Sequence, residues 1–211
     1  MEWVLPLLLL MSEVGMSQNA RNPVPPEVLV RAQKAVQDLG LEVRKGNYSF
    51  VVETMYGPWK SKEVRRSGGE DAFEKSVLVE IPRKMREQGI QITQFTAGRP
   101  TSAFEVRPVM KGIRDGDVGA MKEVSHYREW LVFVPTTRRC RISQDGKVTF
   151  VESTGYQAAV VTKGKNDWTF INGSGLSVDQ LRGLFSSLPI SKEQLGLPKV
   201  GPFVKVASGT R

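Results

Sequence analysis

The sequence predicts an α+β fold, with helices first, an antiparallel sheet after them and a closing C-terminal helix. Three observations carry this reading. Apolar residues recur at helical spacing between Val28 and Met85, and the pattern changes at Ile90 to an alternation of period two. Two long alternating runs, Trp130 to Ile142 and Lys147 to Thr162, flank Asp145-Gly146, a pair suited to a tight hairpin. Ser177, with Gln180 three residues on, makes a capping box at the head of an amphipathic run that stops at Pro189.

The first helix is expected from Glu27, with Val28, Ala32, Ala35, Val36 and Leu39 on one stripe. Gly40 weakens the pattern, and Leu41 and Val43 carry it toward Lys45. Gly46-Asn47 reads as a stop and a new cap, so Tyr48 to Tyr56 becomes a short second helix ended by Gly57-Pro58. Lys60 to Gly69 reads as a basic, glycine-containing loop. Glu70 to Gln88 is the third helix, with Phe73, Val77, Ile81 and Met85 on one face, a bend at Pro82 and a cap at Gly89.

Ile90 to Thr96 is the first strand, and residues 107–125 form a long polar connection. The hairpin follows, then a turn at Gly164-Lys165-Asn166 and a last strand, Trp168 to Ile171. Helices followed by about four strands should pack on one face of the sheet. In the closing helix Leu181, Leu184, Phe185 and Leu188 share a stripe. Residues 191–211 are expected to be a weakly ordered basic tail.

A length of 211 residues with 40% hydrophobic and 25% charged residues suits one domain with a sizeable core. The N-terminal run Trp3 to Met11 is apolar but far too short to span a bilayer as a helix. It fits the apolar part of a secretory signal, with small residues at Gly15 and Ser17, although Glu2 stands where a Lys or Arg is usual. Residues 1–17 are therefore read as a signal peptide, 18–26 as a linker and 27–190 as the domain, in a secreted or periplasmic protein with no transmembrane anchor once mature. The competing reading is an apolar helix docked on the fold of a cytoplasmic protein. Cleavage would remove two acids and no bases, taking the net charge from +8 to +10. Cys140 and His126 are the sole residues of their types, which excludes an internal disulfide and a multi-histidine metal centre.

The order helix, Gly46-Asn47-Tyr48, short helix, Tyr56, glycine-containing loop, and helix ending Met85-Arg-Glu-Gln-Gly89 is distinctive. With Val134-Pro135-Thr136-Thr137 and Trp168-Thr-Phe-Ile-Asn-Gly-Ser-Gly175, it resembles uncharacterised bacterial proteins of the nuclear transport factor 2-like superfamily over residues 27–190. The resemblance implies a strongly curved, mostly antiparallel sheet, a cystatin-like cone, with a pocket between its concave face and the first helices. That scaffold hosts isomerases, dehydratases and binding proteins alike, so it does not choose among them. Asn172 stands where an aspartate is more usual in those proteins, and either side chain can serve the turn.

On the second long strand Phe150, Glu152, Thr154 and Tyr156 share a face. If that face lines the pocket, Glu152 becomes the candidate general base, because apolar surroundings raise a carboxylate's pKa and favour proton transfer to it. The competing reading is an ordinary solvated or salt-bridged glutamate. Tyr56 and Trp59 would stand at the pocket mouth, with Trp130 and Tyr156 as walls; core packing is the alternative for each. Arg138, Arg139 and Arg141 crowd one hairpin, but a strand sends Arg138 to one face and the other two to the opposite one. That disfavours a nucleic-acid patch. The expectation is a non-enzymatic domain binding a small apolar ligand or a protein partner, with no cofactor, no metal, and a homodimer left open. The alternative is a pocket enzyme doing acid–base chemistry of isomerase or dehydratase type.

Overall fold

The structure is a computed structural model that describes residues 24–107 and 128–207. The segment expected as a signal peptide, most of the expected linker, His126, nearly all of the 107–125 connection and residues 208–211 lie outside the described residues.

Helix α1 spans Pro26–Lys45, with a proline in its first turn and basic Arg44 and Lys45 in its last, where they complement the helix dipole. It ends on Gly46 in the left-handed region. Asn47 caps α2 (Tyr48–Glu53) by accepting a hydrogen bond from the Phe50 amide. The stretch expected as a loop is instead α3 (Gly57–Ser67), which corrects the reading of Gly57-Pro58 as a terminator. Proline lacks an N–H, and in the first helical turn that donor has no partner to lose, so the pair starts a helix. The third expected helix is present as α4 (Glu70–Lys75), a π turn (Ser76–Glu80) and α5 (Ile81–Glu87). The Ile81 amide donates to the Ser76 carbonyl, so the widened turn sits immediately before Pro82, where the regular ladder would be broken.

The strands are β1 (Ile90–Ala97), β2 (Ser102–Val106), β3 (Glu129–Gln144), β4 (Lys147–Thr162), β5 (Thr169–Asn172) and β6 (Val204–Val206). Their order is β1-β3-β4-β5, with β2 also beside β3 and β6 also beside β4, and every ladder between them is antiparallel. The β3–β4 hairpin turns at Asp145 (φ 51°) and Gly146 (φ 72°), both left-handed as a two-residue turn requires. The closing helix is shorter than expected: α6 covers Val178–Arg182, and Gly183 ends it before Leu184, Phe185 and Leu188, which are buried nonetheless. The capping box of Ser177 and Gln180 is formed in both directions. The segment expected as a weakly ordered tail carries α7 (Lys192–Leu195) and β6, and Leu195 is fully buried.

Helices cover both faces of the sheet, not one. Alternation along β3 and β4 sends Leu131, Phe133, Tyr156, Ala158 and Val160 to one side, under Tyr56, Trp59, Leu181, Phe185 and Leu195. Val132, Val134 and Ala159 face the other side, under Ala32, Val36 and Leu39 of α1. This explains the unbroken apolar run of β3, since a strand buried on both faces has no polar side. The free edge of β1 is also closed by α1. Gln37 donates to the Phe95 carbonyl (3.1 Å) and accepts from the Ala97 amide (2.8 Å), while Gln33 donates to the Ala97 carbonyl (3.0 Å). The Gln37 carboxamide thus stands in for a neighbouring strand and blocks edge-to-edge pairing.

Candidate functional site

The five residues singled out from the sequence fall into separate places. Tyr56 is held at the α2–α3 junction by its backbone, whose amide donates to the Phe170 carbonyl (3.0 Å), while the Phe170 amide donates to the Thr54 carbonyl (2.8 Å). Tyr56, Trp59 and Tyr156 belong to one buried cluster. The Tyr56 ring lies 5.3 Å from Phe185, and Tyr156 stands edge-on to Phe133 at 5.9 Å. Burial pushes the Tyr156 hydroxyl up to about 12. The Tyr156 ring also packs so closely on Gly173 that a Cβ there would lie 2.3 Å from Tyr156 Cε2. Asn172 Oδ1 accepts from the Ser174 amide (3.1 Å), so this side chain serves the turn, as its position suggested.

Trp130 and Glu152 stand apart from that trio. Trp130 points to the opposite face from Leu131, with the Lys163 ammonium 4.3 Å from its ring centre. Lys163 is in turn paired with Glu105 (3.2 Å), which also holds Arg128 (2.7 Å). Glu152 is half-buried on the face of Tyr156 but nearer the hairpin, opposite Arg139 on one side and Val204 of β6 on the other. The Arg139 guanidinium lies 5.2 Å from the Phe150 ring centre and donates to the Ala207 carbonyl.

Two features were not foreseen from the sequence. The first is Glu129, whose Oε2 accepts from the Tyr56 hydroxyl at 3.0 Å. Glu129 opens β3 on the same face as Leu131 and Phe133, opposite Val106, so counting back by twos along β3 would have placed it on the buried side. Burial raises its carboxyl above the ordinary value, outweighing the hydrogen bond from Tyr56, which lowers it. Burial, and then the facing carboxylate, raise the Tyr56 hydroxyl as well. A carboxyl and a phenol hydrogen-bonded to each other in apolar surroundings are groups that general acid–base chemistry uses.

This arrangement fixes a pH dependence. The folded chain holds the Glu129 proton more tightly than the unfolded chain does, so the benefit of the neutral acid is complete below 4.5 and is lost as pH rises through the folded value. Glu129→Gln keeps a neutral group that can accept from Tyr56. Its melting temperature should therefore rise relative to the parent between about pH 4 and about pH 7. A gap that stays constant across that range would contradict the burial of this carboxyl.

The second feature is a cleft of about 300 Å³ between α1, α2 and the start of β5. Arg31, Lys34, Ala35 and Asp38 line one wall; their spacing places them on a single helical stripe. Phe50, Trp168 and Phe170 form an aromatic floor, with Phe170 buried and the other two half-buried. Lys34 and Asp38 pair at 2.6 Å, whereas Arg31 has no ion-pair partner among the described residues. A smaller cleft of about 190 Å³, between the end of α1, α5 and β1, holds Arg44, Arg86 and Ile92. Tyr48 donates to the Met85 sulfur (3.1 Å) in its wall. Ligand sites usually occupy about 300–1,000 Å³, which favours the first cleft. Neither cleft is lined by Tyr56, Trp59, Trp130, Glu152 or Tyr156. Among the described residues no group of three or more His, Cys, Asp or Glu is placed to hold a metal ion, and Cys140 is buried as a free thiol.

Fold and site together define an α+β protein with N-terminal helices packed on a six-stranded antiparallel sheet. No protein-family model, no curated protein and no solved structure matches the chain.

Proposed function

We propose that this chain is an exported, non-enzymatic binding protein that holds a small, largely apolar molecule between its sheet and its N-terminal helices. The cleft of about 300 Å³ floored by Phe50, Trp168 and Phe170 carries this reading. Half-exposed aromatic side chains cost free energy in water, and a planar ligand would cover them. We also read the fold as a cone of the nuclear transport factor 2-like kind, on the order of elements and the motifs between Gly46 and Gly175. In such a cone, space between sheet and helices is where a ligand would be held. Export rests on the apolar run Trp3 to Met11.

Acid–base chemistry on an apolar small molecule is the second reading, and the hydrogen-bonded Tyr56–Glu129 pair favours it. Under this reading Glu129 takes the role that the sequence suggested for Glu152, with Tyr56 as its partner. Native mass measurement on protein isolated from its own host separates the two. The binding reading expects a small adduct on the parent chain that Trp168→Ala loses and Glu129→Gln retains. The reverse pattern would move the site to the Tyr56–Glu129 pair, and the absence of any adduct on the parent chain would count against both.

A further inference from the structure

We infer that the cleft between α1 and β5 selects a planar aromatic molecule carrying one negative charge, such as an aromatic carboxylate. This rests on the binding reading above and adds the chemical class of the ligand. The floor supplies the aromatic part: Trp168 and Phe50 line the cleft and are half-buried, so part of each side chain stays exposed to a ligand. The wall supplies the charge. Lys34 and Asp38 neutralise each other at 2.6 Å, one helical turn apart, leaving Arg31 as the uncompensated charge of the cleft. Two cations and one carboxylate in the lining leave a net of one positive charge. A guanidinium presents two parallel N–H groups to a carboxylate, so it both attracts and orients it. The volume of about 300 Å³ is enough for one or two fused rings.

Three probes of nearly equal shape test this: 1-naphthoate (anionic), 1-naphthamide (neutral) and 1-naphthylmethylamine (cationic). Each is titrated by calorimetry into the full chain, into Arg31→Gln, into Trp168→Ala, and into Arg83→Gln as a control. Arg83 lies on α5, paired with Glu87, so its replacement lowers the net charge without touching the cleft. The parent chain should prefer naphthoate to naphthamide by about tenfold and bind the amine weakest. Arg31→Gln should reduce that preference to about twofold or less, Arg83→Gln should leave it in place, and added salt should weaken naphthoate alone. Trp168→Ala should lose all three while still melting cooperatively. Equal affinity for the three probes, or a preference that survives Arg31→Gln, overturns the anion assignment and leaves the cleft itself standing. No binding to the parent chain at about 1 mM, or binding that Trp168→Ala does not change, overturns the cleft reading together with it.

Discussion

Replacing Phe133 by alanine is expected to remove about 3–5 kcal/mol of folding stability, the largest loss for any single truncation argued from this structure. Phe133 is fully buried in the β3–β4 ribbon, four residues from its open end, between Phe104 at 6.1 Å and Tyr156 at 5.9 Å, both meeting it edge-to-face. Its removal forfeits the transfer free energy of the ring and both aromatic contacts. It also opens a cavity, because the ladders on either side of β3 prevent the sheet from closing over it. Denaturant unfolding should show a lower midpoint with an unchanged slope. Phe133→Leu refills most of the volume and should lose clearly less. A loss below about 1 kcal/mol for the alanine variant would mean that this face of the sheet is not packed as described.

The second large effect concerns Gly40, where helix propensity and packing point in opposite directions. Propensity alone gives alanine an advantage of about 1 kcal/mol over glycine inside a helix. Here a Cβ would lie 1.9 Å from Cδ1, 2.2 Å from Cε1 and 2.3 Å from Cγ of Phe95. The clash reaches the root of a ring that is itself buried, so the ring cannot swing aside and α1 would have to lift from β1. Packing therefore wins. Gly40→Ala should be destabilising, and Gly40→Val should reach or exceed the top of the usual range of about 1–3 kcal/mol for overpacking. Pairing Gly40→Ala with Phe95→Leu should recover part of the loss, a coupling readable from a double-mutant cycle. A stabilised Gly40→Ala would place α1 farther from β1 than the structure does.

The elements legible in the sequence were those set by local rules. Asp145-Gly146 fixes its hairpin because both residues tolerate the left-handed region, and Ser177 with Gln180 fixes the start of α6 through two reciprocal hydrogen bonds. What remained hidden depended on tertiary context. Gly57-Pro58 suits the end of one helix and the start of the next, and only the docking of Trp59 into the core decides for α3. The β2 strand is short, although Phe104 and Val106 alternate with Ala103 and Glu105 as a strand should. The tail gains order from contacts far away in sequence: Ser102 donates to the Leu195 carbonyl, and β6 adds to the edge of β4. The adjacent apolar residues of β3 are the visible trace of a sheet covered on both faces, which the expectation of helices on one side missed.

The site was less legible than the fold. Parity along β4 places Glu152 and Tyr156 on one face, but parity says nothing of distance along the strand. The trio Tyr56, Trp59 and Tyr156 is brought together as core, whereas Glu152 faces Arg139 across the ladder. Arg31, Phe50 and Trp168 are far apart in sequence, and no local pattern joins them. Their convergence depends on the register that sets β5 against β4 and on the packing of α1 across that face.

The binding account is tested most directly by mapping where 1-naphthoate binds, using amide and indole shifts of the isotope-labelled chain. The predicted result is a contiguous set of changes at the Trp168 indole N–H, at Phe50 and Phe170, and along α1 from Arg31 to Asp38. Changes centred instead on Tyr56, Trp59 and Glu129, or on Arg44 and Met85, would contradict it.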